Sequence, residues 1–519
     1  MPASAILSAM RARIIGVVRL AGRAAVLIGA LPCMFVAAAM LTSVPLPAAP
    51  QETPHSSIEG KWLAASVGSA DNHTAAGLDI ARNDRGELTV RSYVPIVNFY
   101  GLSLGVAEAD GKGKYVIRKE GLELVQKGPD TLLVKGLIGD SVEMHRTSSL
   151  PAAPAQPEWP SGPGPRWRVR LGGAIFAPTT VRDGVAYVGN TDGVLFALKV
   201  ADGSPVWTFP AGRAIYGGAL ATDDAVFFAS DNGFVYKLKR SDGKELWRYD
   251  LGDARVSRIP PNPLVFDYDQ HGPTPVLADD ILYIGAGDGG FHAIRAGSGE
   301  RLWRIQSNAK IRTTAAIHGA HVIFATMDGW VCAIDRASGA EAWSFKKTTA
   351  FTSGPAIDGD VVVVGNRGSM LRGLDANTGA ELWKQEYWGS WIESTAVFRD
   401  DRGYIGSGDL FLVSSFDPKS GKNLWRTHVN GWVIQRPAVT ATRVFVGVAG
   451  GRRRNAALLH QSSALTALAR DTGKVLWSWP MPEWDGAFLS GFFAAPTVAD
   501  GTILVGGVDG TLYAFAEQE

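Results

Sequence analysis

The stretch DARVSRIPPNPLVFDYDQHG brings Arg258, Asp267, Asp269 and His271 together in one short segment. The DYDQH spacing offers alternating oxygen donors that could approach Ca²⁺, but a full shell takes about six to eight donors, and the segment does not supply them. No metal site is assigned to it. Arg312, Glu393, Gln435 and Arg436 are a second set, able to contact an anionic ligand or to pair with one another. Around them the segments YWGSWIES, HVNGWVIQR and WPMPEWDGAFLSGFF supply Trp388, Trp391, Trp432, Trp484 and Phe493. Aromatic side chains edged by Arg and Glu are the chemistry of a protein- or peptide-binding surface. The same aromatics could instead cap the ends of packed strands, or stack on sugars. No catalytic residue is assigned among them.

What must position these groups is a repeat. Gly-x-x-x-Trp recurs at Gly203/Trp207, Gly243/Trp247, Gly299/Trp303, Gly339/Trp343, Gly379/Trp383, Gly421/Trp425 and Gly473/Trp477. Several neighbouring tryptophans are about 40 residues apart, the period of a four-stranded propeller blade. In one copy, Pro355–Ile357, Val361–Gly365, Ser369–Asp375 and AELWKQE read as four strands, innermost to outermost, joined by turns. The run VVVV is apolar on both faces of the pleat, as a strand covered on both sides requires. No segment between strands carries helical periodicity, which argues against a Rossmann-type alternation.

The last copy, ending VDGTLYAFAEQE, lacks its tryptophan. Trp167, in GPRWRVRLGG, precedes Thr179 by the same interval that separates Trp343 from Pro355. It therefore supplies the missing outer strand. The fold expected is all-β: an eight-bladed propeller over residues 166–519, closed by its own N-terminal strand. Trp167, Trp207, Trp247, Trp303, Trp343, Trp383, Trp425 and Trp477 are then packing residues between blades.

Connectivity assigns the chemistry to one face. The second-to-third turns and the blade-to-blade connectors emerge at the same end. The connectors after Trp247 and Trp477 are long, and so is the turn GGRRRNAALLHQSS in the seventh blade. Binding groups tend to ride on such loops over a rigid scaffold. Aligning the connectors puts Phe176, Tyr216, Arg312, Thr352, Ile392, Ile434 and Phe493 at one level of the channel mouth.

Copies such as DNGFVYKLKRSDGKELW and RGSMLRGLDANTGAELW resemble the pyrroloquinoline-quinone (PQQ) enzyme repeat, over residues 166–516. The resemblance implies one of two groups. Quinoprotein dehydrogenases oxidise alcohols or sugars with PQQ, commonly with Ca²⁺, an Asp base and a pair of adjacent disulfide-bonded cysteines. Non-catalytic propellers, such as the outer-membrane-protein assembly factor BamB, act in the cell envelope. Downstream of residue 50 only Cys332 remains, so that disulfide is excluded. Most repeats also lack large insertions. The non-catalytic branch is therefore the expectation, with no cofactor and a protein or peptide partner. Under the alternative, Arg312 and Glu393 would lie near the quinone.

The N-terminal residues set the compartment. Residues 1–50 hold Arg11, Arg13, Arg19 and Arg23, no acid, and the apolar run from Ala24 to Leu41. This reads as a secretory signal, with retention of residues 24–41 as an inner-membrane anchor the alternative. Export to the periplasm follows from either. Without these residues, 47 basic side chains (51 − 4) face 50 acidic ones, a formal charge of −3. Nothing in that balance suggests nucleic acid. Short alternating runs over residues 57–147 predict a small antiparallel β-meander or barrel. Residues 148–165, with six prolines, read as a semi-rigid linker. The propeller is expected to be monomeric.

Overall fold

The structure, a computed structural model, describes residues 57–69, 72–94, 99–111, 113–118, 122–135, 141–150, 158–255, 258, 269–387, 390–451, 463–482 and 489–517. The signal or anchor reading of residues 1–50 lies outside these, as do Asp267, Trp388 and Trp484. No helix among the described residues is long and apolar enough to cross a membrane.

Residues 180–517 and 167–170 form eight blades around a channel. The fifth shows the plan: strands Ala356–Asp358, Val361–Gly365, Met370–Asp375 and Glu381–Glu386, paired antiparallel from channel to rim. Its second strand is buried throughout, because neighbouring blades cover both faces.

The recurring glycine and tryptophan have one joint role. A register shift in the outer pair falls beside the tryptophan, as at Gly373/Leu374 opposite Trp383. Such a bulge twists the rim strand and aims the indole at the next blade. There Trp207 Nε1 donates to the Arg240 carbonyl at 2.8 Å and Trp343 Nε1 to the Ala376 carbonyl at 2.9 Å. The tag glycine of that next blade lies against the same ring. A Cβ on Gly243 would sit 2.7 Å from Trp207, and one on Gly379 would sit 2.5 Å from Trp343. Both glycines also hold φ near +70°, where a side chain is disfavoured.

Ring closure takes the expected form. Trp167–Arg170 pairs antiparallel with Thr511–Ala516, Trp167 opposite Ala514, and Trp167 Nε1 donates to the Val200 carbonyl at 3.0 Å. Closure leaves one gap in the pattern. The eighth blade has no continuous turn between its third and fourth strands, and Trp477 Nε1 finds no acceptor among the described residues. Gly162, in the chain entering the closing strand, takes the place of the tag glycine; its Cβ would lie 2.5 Å from the Trp477 ring. The amide of Gly162 donates to the Ser478 carbonyl, and Ser478 donates to the Pro160 carbonyl. The C-terminal part of the proline-rich segment is thus bound to the rim of the seventh blade.

The N-terminal unit contains a nine-stranded sheet that begins at Gly60–Ser69 and ends in sequence at Val142–Thr147, two strands that pair antiparallel. Alternate residues Leu122, Leu124, Leu132, Val134 and Met144 are buried on one face, as period-two patterning dictates.

Replacing Trp343 by Ala removes both the ring under Gly379 and the bond to Ala376. The expected cost is ~3–5 kcal/mol, read from denaturant midpoints; an unchanged midpoint would refute the interlock.

Candidate functional site at the channel mouth

The regular connectors are pinned between two turns by backbone bonds. The amides of Ile311 and Ile392 donate to the Ala286 and Asn366 carbonyls, and those of Met327 and Arg367 donate to the Lys310 and Ala350 carbonyls. This pattern corrects one alignment made from sequence. Ile392 matches Ile311, and both pack against a strand glycine, Gly365 and Gly285. The connector into the sixth blade is one residue longer than assumed, so Glu393, not Ile392, stands level with Arg312 and Thr352. The hydrogen bond from Thr352 Oγ1 to Glu393 Oε1 (3.2 Å) reflects that level.

One half of the mouth is charged and internally paired. Arg258 holds Asp231 through Nη2 (2.7 Å) and Nε (2.5 Å), contacts Asp269 at 3.2 Å, donates to the His271 carbonyl at 2.7 Å and stacks over Tyr216. Asp269 is fully buried and also meets Lys310 at 2.8 Å and Arg312 at 3.2 Å. Arg312 in turn donates to Asp253 at 2.6 Å. Glu393 takes Arg367 at 2.7 Å and lies 3.6 Å from His271 Nε2. Arg367 stacks over Trp391. Four carboxylates thus face four permanent cations.

Burial by itself would raise the pKa of Asp269; Arg312, Arg258 and Lys310 outweigh it and hold the carboxyl below its usual range. The opposite half of the mouth is apolar. Phe176, Phe411, Trp432, Ile434, Leu489 and Phe493 form one buried cluster. Strand Leu489–Gly491 covers it by pairing with the extension of strand Arg443–Gly451, so two of the three insertions meet. Trp432 and Phe493, expected among the partner-binding aromatics, are therefore buried packing residues. Trp391 is half-buried.

Beneath the mouth lies a cavity of about 300 Å³. Arg312, Glu393, Gln435, Arg436 and His271 all line it, so the structure brings these sequence candidates into one place. Sequence reasoning missed Asp231, Asp253, Lys310 and Arg367. Asp231 and Arg367 share the second position of the second-to-third turn, where other blades carry Thr191, Gly287 or Met327. Aligning that turn position would have exposed them.

Eight four-stranded blades riveted by Gly-x-x-x-Trp and closed by an N-terminal strand define a propeller of the quinoprotein-like class. The family model described as outer membrane protein assembly factor BamB matches residues 161–258, 266–390 and 368–483, more than half of the chain. The chain belongs to that family. Among solved structures it is similar to the computationally designed Ika8 protein (19% identity, TM-score 0.53, covering 67% of this chain and 98% of that one). It is also similar to the quinohemoprotein alcohol dehydrogenase of Comamonas testosteroni (15%, 0.53, covering 68% and 76%). The BamB of Moraxella catarrhalis matches at 18% identity and a TM-score of 0.44, covering 63% and 90%. At such identities the likenesses to Ika8 and to the alcohol dehydrogenase speak to fold alone. No curated protein matches the chain.

Asp269 predicts an acid limb. Its folded pKa lies below the unfolded value of about 3.9, so its stabilising contribution is complete above that value and is lost as pH falls through the folded pKa. Asp269→Asn should lower stability at neutral pH by ~3–5 kcal/mol, because three cations lose a buried partner. It should also flatten the dependence of the urea midpoint on pH below about 5.

Proposed function

We propose that the chain is an exported, non-catalytic scaffold that binds a protein or peptide partner in the cell envelope through the face bearing its connectors and second-to-third turns. The observation that carries this reading is the internal neutralisation of the mouth: Arg258, Lys310, Arg312 and Arg367 each hold a carboxylate. PQQ is a planar, acidic quinone and would need cations for its carboxylates and an oxygen shell for Ca²⁺. Those four cations are already engaged, which leaves Arg436 alone in the cavity for the several carboxylates of the quinone. No group of three His, Cys, Asp or Glu side chains among the described residues could hold a metal. Cys332 lies within a blade strand, and burial pushes its thiol up to about 12, so a reactive thiolate is not available there. The residues present do not fit the quinone with its metal, and no reaction step is assigned to them.

Family membership supports the envelope setting, since the matching model is described by an outer-membrane assembly factor. The basic, apolar N-terminal residues support export, with residues 24–41 as the tether if they are retained. The connectors supply a partner with exposed, varied side chains on a rigid ring.

Photo-crosslinkers placed singly on the connector face, at Asn308 and Thr348, and on the opposite face, at Ser298 and Thr378, test this reading in cells. The expected result is discrete envelope-protein adducts from the first pair and none from the second. Equal labelling from both faces would sink the assigned surface. PQQ- and Ca²⁺-dependent dye reduction with an alcohol or sugar would sink the non-catalytic assignment.

A further inference from the structure

Among the described residues lining the cavity, one cation is left over. Arg436 stands one blade beyond Thr395 in the same register: Ser353 Oγ donates to the Ser394 carbonyl, and Ser394 Oγ donates to the Gln435 carbonyl. Where the third, fourth and sixth blades put Thr274, Thr314 and Thr395, the seventh blade puts a guanidinium. Arg436 lines the cavity and has neither an ion pair nor a hydrogen bond among the described residues. Arg436 is exposed at the cavity wall, while the surrounding protein pushes its pKa below the usual arginine value. A guanidinium that lines a cavity and has no partner there is free to take an anion.

The groups around it are donors. Thr274, Thr314 and Thr395 each accept a backbone N–H through Oγ1, from Gly218, Thr274 and Gly354, at 3.0 to 3.1 Å. Their hydroxyl hydrogens remain for a second partner. His271 also lines the cavity, is buried, and its Nε2 has no hydrogen-bond partner. The remaining wall mixes apolar Pro178, Ala315, Pro355, Ala356 and Ala396 with polar groups, among them Gln435 and the already paired Arg312 and Glu393. One uncompensated cation, several hydroxyl donors and a short apolar wall match a ligand of one negative charge with a small hydrocarbon part. A phosphate dianion would ask for a second free cation, and the described residues lining the cavity offer none.

We propose that the channel cavity is a binding site for a small organic monocarboxylate, gripped by Arg436 and the threonine hydroxyls beside it. The cavity lies beneath the partner-binding face, but binding of a small anion in it can fail without affecting that reading.

Calorimetric titration of the full chain with butyrate tests the proposal, with butyramide as the neutral match and inorganic phosphate as the competing anion. The expected result is saturable, one-to-one binding of butyrate, none of butyramide, and affinity weakened roughly tenfold or more by Arg436→Gln. Because Arg436 has no partner to lose, Arg436→Gln is expected to keep the wild-type melting temperature, which separates lost binding from lost folding. A bromo-substituted butyrate soaked into crystals of the wild-type chain should place its anomalous peak beside Arg436. Absence of saturable butyrate binding up to about 10 mM, undiminished binding in Arg436→Gln, tighter binding of phosphate than of butyrate, or an anomalous peak outside the channel would each overturn the proposal.

Discussion

One indole lying on one glycine holds each blade to the next. A four-stranded antiparallel sheet cannot bury both of its faces alone, so every blade is stable only between two others. The contact concentrates that dependence. The ring carbons fill the space that a Cβ would occupy, the indole N–H ties the rim of one blade to a turn of the next, and positive φ keeps the glycine a glycine. Because each blade needs a successor, the array must close. The eighth blade borrows Trp167 for its rim, and the chain leading into that strand lends Gly162 to cover Trp477. The indole of Trp477 keeps its cover and loses its acceptor, a measure of how nearly a chain passing from outside can imitate a turn.

A ring fixed at its rim frees its mouth to vary. Arg258 spans Asp231 in a turn of the second blade and Asp269 in the connector that follows, while Lys310 and Arg312 reach Asp269 from the next connector. Buried ion pairs of this kind add little net stability, since desolvation offsets most of the attraction. Their effect is positional: they hold a long connector down against two blades. The apolar half achieves the same end with Phe176, Trp432 and Phe493 under a two-stranded cover.

Legibility in the sequence divides along the same line. The blades could be read because Gly-x-x-x-Trp is local, invariant in spacing and tied to a single packing need. Trp167 could be assigned to the last blade by interval alone. The mouth could not be read in this way. Whether Trp432 faces water depends on the pairing of strands around Ala449 and Gly491, which no local pattern announces. One additional residue in a connector moved Glu393 into the position that counting gave to Ile392. Asp231 and Arg367 lie in turns where the repeat tolerates any residue, so their charges looked like ordinary surface polarity.

Tolerance at those positions also explains how a charge can be left without a partner. In a repeat, substitution at one connector position is buffered by backbone bonds that do not depend on the side chain: Gln435 presents its carbonyl to Ser394 whatever follows it. Arg436 therefore takes a position that holds threonine, glycine, proline or alanine in other blades, at no cost to the ring's framework. Its cost is electrostatic, borne within the cavity, where low-dielectric walls sharpen the field of a lone cation. A fold that neutralises Asp269 with three cations has cationic groups to spare for pairing, yet none of its described carboxylates turns toward Arg436. The asymmetry places the uncompensated charge at the cavity wall and away from the rim of the ring.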